Sequence, residues 1–379
     1  MKTETQFSIL SSDLSIWEIG PFHGALPAPF KMRLKVDGEI IVSAQVEAGF
    51  LTRGLEAAMQ RSPWEAQIVY ADHLDAEASA FAELAYCLAA EKLGKIDVPT
   101  RAQSVRLVLC ELSRISSHLA FAARLARRVG GDTVAHYILR DRERILDLFE
   151  LLTGARFSLN FLRLGGIRLD VTEGFIERVF EATDLIRERL KEYNDIFSFN
   201  TTFVRRSTGV GILNREQILE AKVSGPNARA SGVLKDIRKE SPYSGYDRVD
   251  FHDMISTEEG AGAGDCHERF LIRLREVSQS IDILRQVAEK IPSGPWASTK
   301  VTRGFVLPSG EAEVVIESSR GALSCHLVSN GGESPQRVEF KTPSTSIFGL
   351  IPEVIRGIQI EDLPMVLASL DLSLSEVDR

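Results

Sequence analysis

The first regular segment shows itself by alternation. In "FKMRLKVDGEIIVSAQV", Phe30, Met32, Leu34 and Val36 face one way and Lys31, Arg33, Lys35 and Asp37 the other, the period-two pattern of a half-buried strand. Asp37-Gly38 supplies the tight turn of a hairpin. From Trp64 to Leu93 the chain is rich in alanine and free of glycine and proline, and Gly94 follows; this predicts one long helix closed by that glycine. The next helix is expected to be capped by Thr100 and to end at Gly130-Gly131. Its apolar residues (Val105, Val108, Leu112, Ile115, Leu119, Ala122, Ala126 and Val129) step by three and four, which predicts a helix-packing seam. Further helices are expected at about 133–153, 172–197 and 265–291, with loops at "NFLRLGGIRLD" and from Ser224 to Gly264. Beyond Pro295 the texture turns to short strands with glycine turns, and two short helices finish the chain. The fold class is therefore α+β: a central helical bundle (63–294) flanked by β structure at the N-terminus (1–62) and C-terminus (295–379), integrated as one domain.

Composition narrows the function classes. The chain has 379 residues, 44% hydrophobic, with a net charge of −8, enough for a large core. No apolar run approaches the length of about 18 residues that a membrane span needs. "MKTETQFSIL" lacks the basic start and apolar run of a signal peptide. The acidic balance speaks against a nucleic-acid partner. The four cysteines, Cys87, Cys110, Cys266 and Cys325, form no CxxC pair. The chain is therefore expected to hold no iron–sulfur cluster and no zinc ribbon of its own, and its thiols to be buried and free.

Several stretches invite chemistry. "GPFHGALPAPF", Gly20 to Phe30, is too rich in proline and glycine for a helix or an inner strand, and builds a stiff loop around His23. "EEGAGAGD" (258–265) spaces its glycines wrongly for a dinucleotide fingerprint and follows acidic residues instead of a strand, so it reads as a loop. His118 lies beside the packing seam with Arg114 and Glu111 on the same side. It is either a satisfied core histidine or a group whose charge answers a nearby redox centre. Arg53 in "FLTRGLEAAM" is a cation at a helix start, which hints at an external partner. "SGPNARASGVLKDIRKESPYSGYDRVDF" is an ordered lid or a docking surface.

Taken in order, these segments resemble the D-type subunit of respiratory complex I, the quinone-site component of NADH:quinone oxidoreductase, itself related to nickel–iron hydrogenase large subunits. The carriers are "GPFH", "RGLE", "AYCLAAEKL", "RAQSVRLVLCELSRISSHL", "ERILDLFELLTGARF", "LRLGGIR", "SGPNARASGVLKDIRKESPYSGYD", "GDCHERFLIRLREVSQSIDIL" and "ASLDLSLSEVDR". The resemblance implies a hydrogenase large-subunit-like fold that carries no prosthetic group. It implies a B-type iron–sulfur partner and a C-type partner in the peripheral arm, and a membrane subunit at the quinone entry. Quinone is the implied substrate, with NAD(H) used elsewhere in the complex and proton translocation coupled to the reaction. The implied location is peripheral, on the cytoplasmic side of the inner membrane. By resemblance, His23 stands at the quinone head group, Asp75 is a carboxylate partner, and Arg53 and His118 flank the partner's cluster.

The chain also departs from that pattern. Pro27 stands where the family has a second histidine, Ala76 where it has the head-group tyrosine, and Arg128 where it has an aspartate. Thr52 and Ala57 replace a histidine and a lysine. Hydrogenase chemistry would need two CxxC pairs, and the corresponding regions "YADHLDAEASA" and "SLDLSLSEVDR" contain no cysteine. The alternative expectation is a non-catalytic structural subunit of a hydrogenase-related membrane complex with a degenerate quinone pocket.

Overall fold

A computed structural model of the protein describes residues 6–9, 14–255, 264–302 and 304–379. Most of "EEGAGAGD" lies outside the described residues. Four antiparallel strands open the fold in the order β1 (Gln6–Ile9), β2 (Leu14–Ile19), β3 (Lys31–Asp37) and β4 (Ile40–Glu47). The expected alternation holds on β3: Met32, Leu34 and Val36 are buried while Lys31, Arg33 and Asp37 are exposed. Gly38 makes the β3–β4 turn at a φ of 57°, which glycine tolerates without strain.

The bundle comprises α1 (Leu55–Met59), α2 (Gln67–Asp72), α3 (Ser79–Gly94), α4 (Thr100–Arg128), α5 (Asp132–Thr153), α6 (Phe175–Tyr193), α7 (Thr201–Ser207), α8 (Arg215–Glu220), α9 (Gly225–Ala230), α10 (Ile237–Glu240) and α11 (Cys266–Ala288). A small hairpin, β5 (Leu162–Arg163) with β6 (Gly166–Ile167), joins α5 to α6. At the centre, α4 packs against α5 and α11, and its seam residues Val105, Val108, Leu112, Ile115 and Leu119 are fully enclosed. A three-stranded antiparallel sheet follows, β7 (Gly310–Glu317), β8 (Ala322–Ser329) and β9 (Arg337–Lys341), packed on α3. The chain then runs through α12 (Pro343–Gly349), α13 (Ile351–Val354), α14 (Leu363–Ser369) and α15 (Leu374–Val377). A single buried apolar cluster joins strands, bundle and C-terminal helices. No helix among the described residues is long and apolar enough to cross a membrane.

Five expectations need correction. The helix expected over Trp64–Leu93 is broken between α2 and α3, because Asp75 turns the chain locally: its carboxylate accepts the Glu77 amide and its carbonyl the Ala78 amide. Gly94 does not close α3. Lys95 takes the left-handed cap, and Gly94 packs close to Leu307, where a Cβ would sit 2.8 Å from a terminal methyl that would have to shift. Thr100 is the first helical residue of α4, with Pro99 at the cap position and no side-chain cap bond. The polar segment from Ser224 holds α9 and α10, and four short helices, not two, follow the last sheet.

Candidate functional site

The loop around His23 is fixed at both ends by backbone geometry. Gly20 has a φ of 104°, and a Cβ there would lie 2.2 Å from the Phe30 carbonyl oxygen, so only glycine fits. The Leu26 amide donates to the His23 carbonyl at 3.1 Å, and the Ala25 amide donates to His23 Nδ1 at 3.2 Å. With Nδ1 accepting, the proton of the neutral ring belongs on Nε2. Arg128, at the C-terminal end of α4, donates to the Gly24 carbonyl at 2.7 Å and fastens the loop to the bundle.

One turn earlier on α4, Arg124 pairs with Glu77 and, at 2.7 Å, with Asp371. Arg320, from the β7–β8 turn, pairs with Asp75 and, at 2.9 Å, with Glu77. Ser373 donates to Asp75 at 3.3 Å. Burial pushes the Asp75 carboxyl up against the pull of Arg320. Arg320, Arg273 and Arg124 overcome the burial of Asp371 and hold it at about 2. Glu376 accepts from Ser344, and burial with the nearby Asp75 charge pushes it up to about 7. Arg53 is exposed and closes the rim, donating to the His73 carbonyl at 2.9 Å and the Ser375 carbonyl at 3.0 Å.

Asp75 and Arg53 share the C-terminal residues 373–375 as neighbours, and the His23 loop is tied by Arg128 to α4 one turn beyond Arg124. His118 is not part of that arrangement. Its side chain is fully enclosed, with Nε2 3.0 Å from Glu276 and Nδ1 without a partner. Burial lowers its pKa, and the Glu276 contact only partly offsets this. His118 belongs to an interior ion network in which Arg229 pairs with Glu276 and Glu317 at 2.8 Å each. Arg238 joins Asp236 to Glu111. Arg229 and Arg238 come from the stretch expected to be a lid or docking surface, and both are 1% exposed. Their side chains line the core.

Arg124, Arg320, Asp371 and Glu376 were not visible as site residues in the sequence. Their signal is an arginine or carboxylate inside an otherwise apolar or small-residue run, such as Arg320 in "ESSRGALSC". All four cysteines are buried and unpaired, and burial raises their thiol pKa values, which keeps them inert.

Residues 128–302 and 296–379 match the family described as respiratory-chain NADH dehydrogenase, 49 kDa subunit. The chain belongs to that family. Among its relatives is the D-type subunit of an NADH-quinone oxidoreductase from Desulforamulus reducens, 39% identical and aligned over 95% of this chain and 97% of the relative. A second, of the same name, from Clostridium beijerinckii, is 36% identical over 95% of this chain and 96% of the relative. A chain from the structure of the membrane-bound sulfane sulfur reductase, an archaeal respiratory membrane complex, superposes with a TM-score of 0.92 at 31% identity. The match covers 98% of this chain and 100% of that one. The hydrogenase large-subunit-like α+β architecture expected from the sequence is the family's.

Proposed function

We propose that this chain is the subunit of an NADH:quinone oxidoreductase-type respiratory complex that forms the quinone-reduction site together with an iron–sulfur partner. The observation that carries the reading is the end of α4, where Arg128 holds the His23 loop and Arg124, one turn back, shares Glu77 with the Arg320 that pairs with Asp75, in a family member whose own thiols are buried and unpaired. Quinone becomes quinol by taking two electrons and two protons. In this reading the electrons come from the partner's cluster, and His23 and Asp75 handle protons near the head group. Burial raises the pKa of Asp75 against the pull of Arg320, which eases proton uptake by its carboxyl, and Arg320 fixes its position. Arg53 stands on the exposed rim, where a cation favours the reduced state of an adjoining cluster. His118 can act on that cluster only from inside the bundle, through its bond to Glu276. Proton translocation belongs to membrane subunits, with this chain peripheral on the cytoplasmic side.

The test is turnover of the purified complex with a soluble quinone analogue. Wild type is expected to reduce it, and His23→Ala to lower the rate at least about tenfold with assembly intact. A His23→Ala rate equal to wild type would remove His23 from the mechanism. A second reading, a non-catalytic subunit in a hydrogenase-related membrane complex, is favoured by one observation: Ala76 offers no donor beside Asp75, and the nearby Arg128 is spent on the Gly24 carbonyl. The sulfane sulfur reductase neighbour makes a sulfur compound the alternative acceptor to assay. Complete absence of quinone reduction would favour this second reading.

A further inference from the structure

Between α4, α5 and the start of α3 lies a small cavity of about 10 Å³, room for a single oxygen-sized group. Its floor carries Ser113 and Ser116, and its rim Ala76 and Phe157. Ala76 is exposed, Phe157 is 51% exposed, and Ser116 is fully enclosed. The Ser116 hydroxyl has no hydrogen-bond partner, an uncommon state for a buried polar atom.

Three charged side chains also face this space: Glu77, Arg142 and Arg156. Glu77 is neutralised by Arg124 and Arg320. Arg156 is neutralised by Glu143 and by Asp147. Arg142 has no such partner. It is 8% exposed, its Nε donates to the Ser116 carbonyl at 3.1 Å, and its guanidinium lies 5.5 Å from the Phe157 ring centre. The described residues place no carboxylate in contact with it, and its two terminal nitrogens make no hydrogen bond. A buried, unpaired guanidinium beside an unpaired hydroxyl is costly unless something completes it. The gap that Arg142 and Ser116 line is oxygen-sized and walled on its other sides by Leu146, Phe149 and Leu159, and Ala76 and Phe157 at its mouth are exposed.

We infer that this cavity is an oxygen subsite, in which Arg142 and Ser116 donate hydrogen bonds to one carbonyl oxygen of the quinone while the ring stands at the rim by Ala76 and Phe157. The inference rests on the quinone reading above and adds the residues that would grip the acceptor. It also gives the exposed, small Ala76 a use, since a larger side chain there would close the mouth. As the oxygen gathers negative charge on reduction, an unneutralised arginine binds it more tightly, so the contact favours electron arrival.

The test uses the intact complex, reduced with dithionite, with two acceptors: a soluble quinone analogue, and ferricyanide, which takes electrons from the clusters without needing this cavity. Arg142→Met should raise KM or lower kcat/KM for the quinone about tenfold or more, and Arg142→Lys should recover part of the loss. Ser116→Ala, a mild change, should move the same constants in the same direction by a few-fold. Ferricyanide rates should stay at wild-type level. A wild-type complex that turns over quinone, with Ser116→Ala and Arg142→Met showing unchanged constants, overturns the inference and leaves the cavity to an ordered water. If Arg142→Met also loses ferricyanide activity, Ser116→Ala decides alone. A wild-type complex with normal ferricyanide activity and no quinone turnover overturns the functional reading itself, and this inference with it.

Discussion

Glu276 sits at the centre of the interior network, accepting from Arg229 at 2.8 Å and bonded to His118 at 3.0 Å. Burial alone would raise its pKa, and the attraction of Arg229 and His118 reverses that and holds it well below the carboxylate range. Glu276→Gln removes one of the three carboxylates around Arg229 inside the bundle and should cost about 3–5 kcal/mol, read from urea unfolding; a cost under about 1 kcal/mol would show the network to be dispensable. Two other carboxylates carry opposite pH signs. Asp371 is held down at about 2, so the stability it contributes is complete above its unfolded pKa and is lost as pH falls toward about 2. Glu376 is pushed up to about 7, so its contribution is complete below its unfolded pKa and is lost as pH rises through about 7. Glu376→Gln, which mimics the protonated state, should therefore match wild type in thermal midpoint at about pH 5 and exceed it at about pH 8.5. Parallel pH curves for the two proteins would show that Glu376 is ionised throughout. None of these residues could be identified from sequence alone, because their partners lie far along the chain: Arg229 finds Glu317 across 88 positions, and Arg320 finds Asp75 across 245.

At the scale of elements, the features with a local cause were legible. The alternation of β3, the Asp37-Gly38 turn and the seam of α4 rest on neighbours two to four residues apart, and the structure keeps all three. The α2–α3 break was missed because alanine-rich composition outweighs two aspartates when only propensity is read; the Asp75 turn that makes it is held in place by the buried contact with Arg320. The stretch from Ser224 reads as a surface for the same reason. Its arginines look solvent-seeking until Glu111, Glu276 and Glu317 arrive from α4, α11 and β7. The loop around His23 was rightly read as irregular, yet its anchor on Arg128 was not foreseen. Arg128→Ala should leave the unfolding transition of the bundle within about 1 kcal/mol, since the residue is a surface anchor, while residues 20–30 gain amide exchange and protease sensitivity. Unchanged exchange there would mean that Gly20 and Phe30 alone hold the loop.

For the molecule as a whole, the family places this chain in respiratory-chain NADH dehydrogenase, and the proposed division of labour is that it shapes an acceptor site for electrons stored next door. The ionic lattice of half-exposed Arg124 with buried Arg320, Asp75 and Asp371 holds that region in place, and rigidity is what positioning a small acceptor requires. The recognisable motifs carried the family before the structure did, but the departures from its pattern at Pro27, Ala76 and Arg128 left the chemistry of the proposed site to be worked out from geometry. The most direct test is rapid-freeze EPR on the dithionite-reduced complex mixed with a soluble quinone analogue. The account predicts that the terminal cluster signal disappears quickly in wild type and at least about tenfold more slowly in both His23→Ala and Asp75→Asn. Equal decay in all three proteins would contradict it.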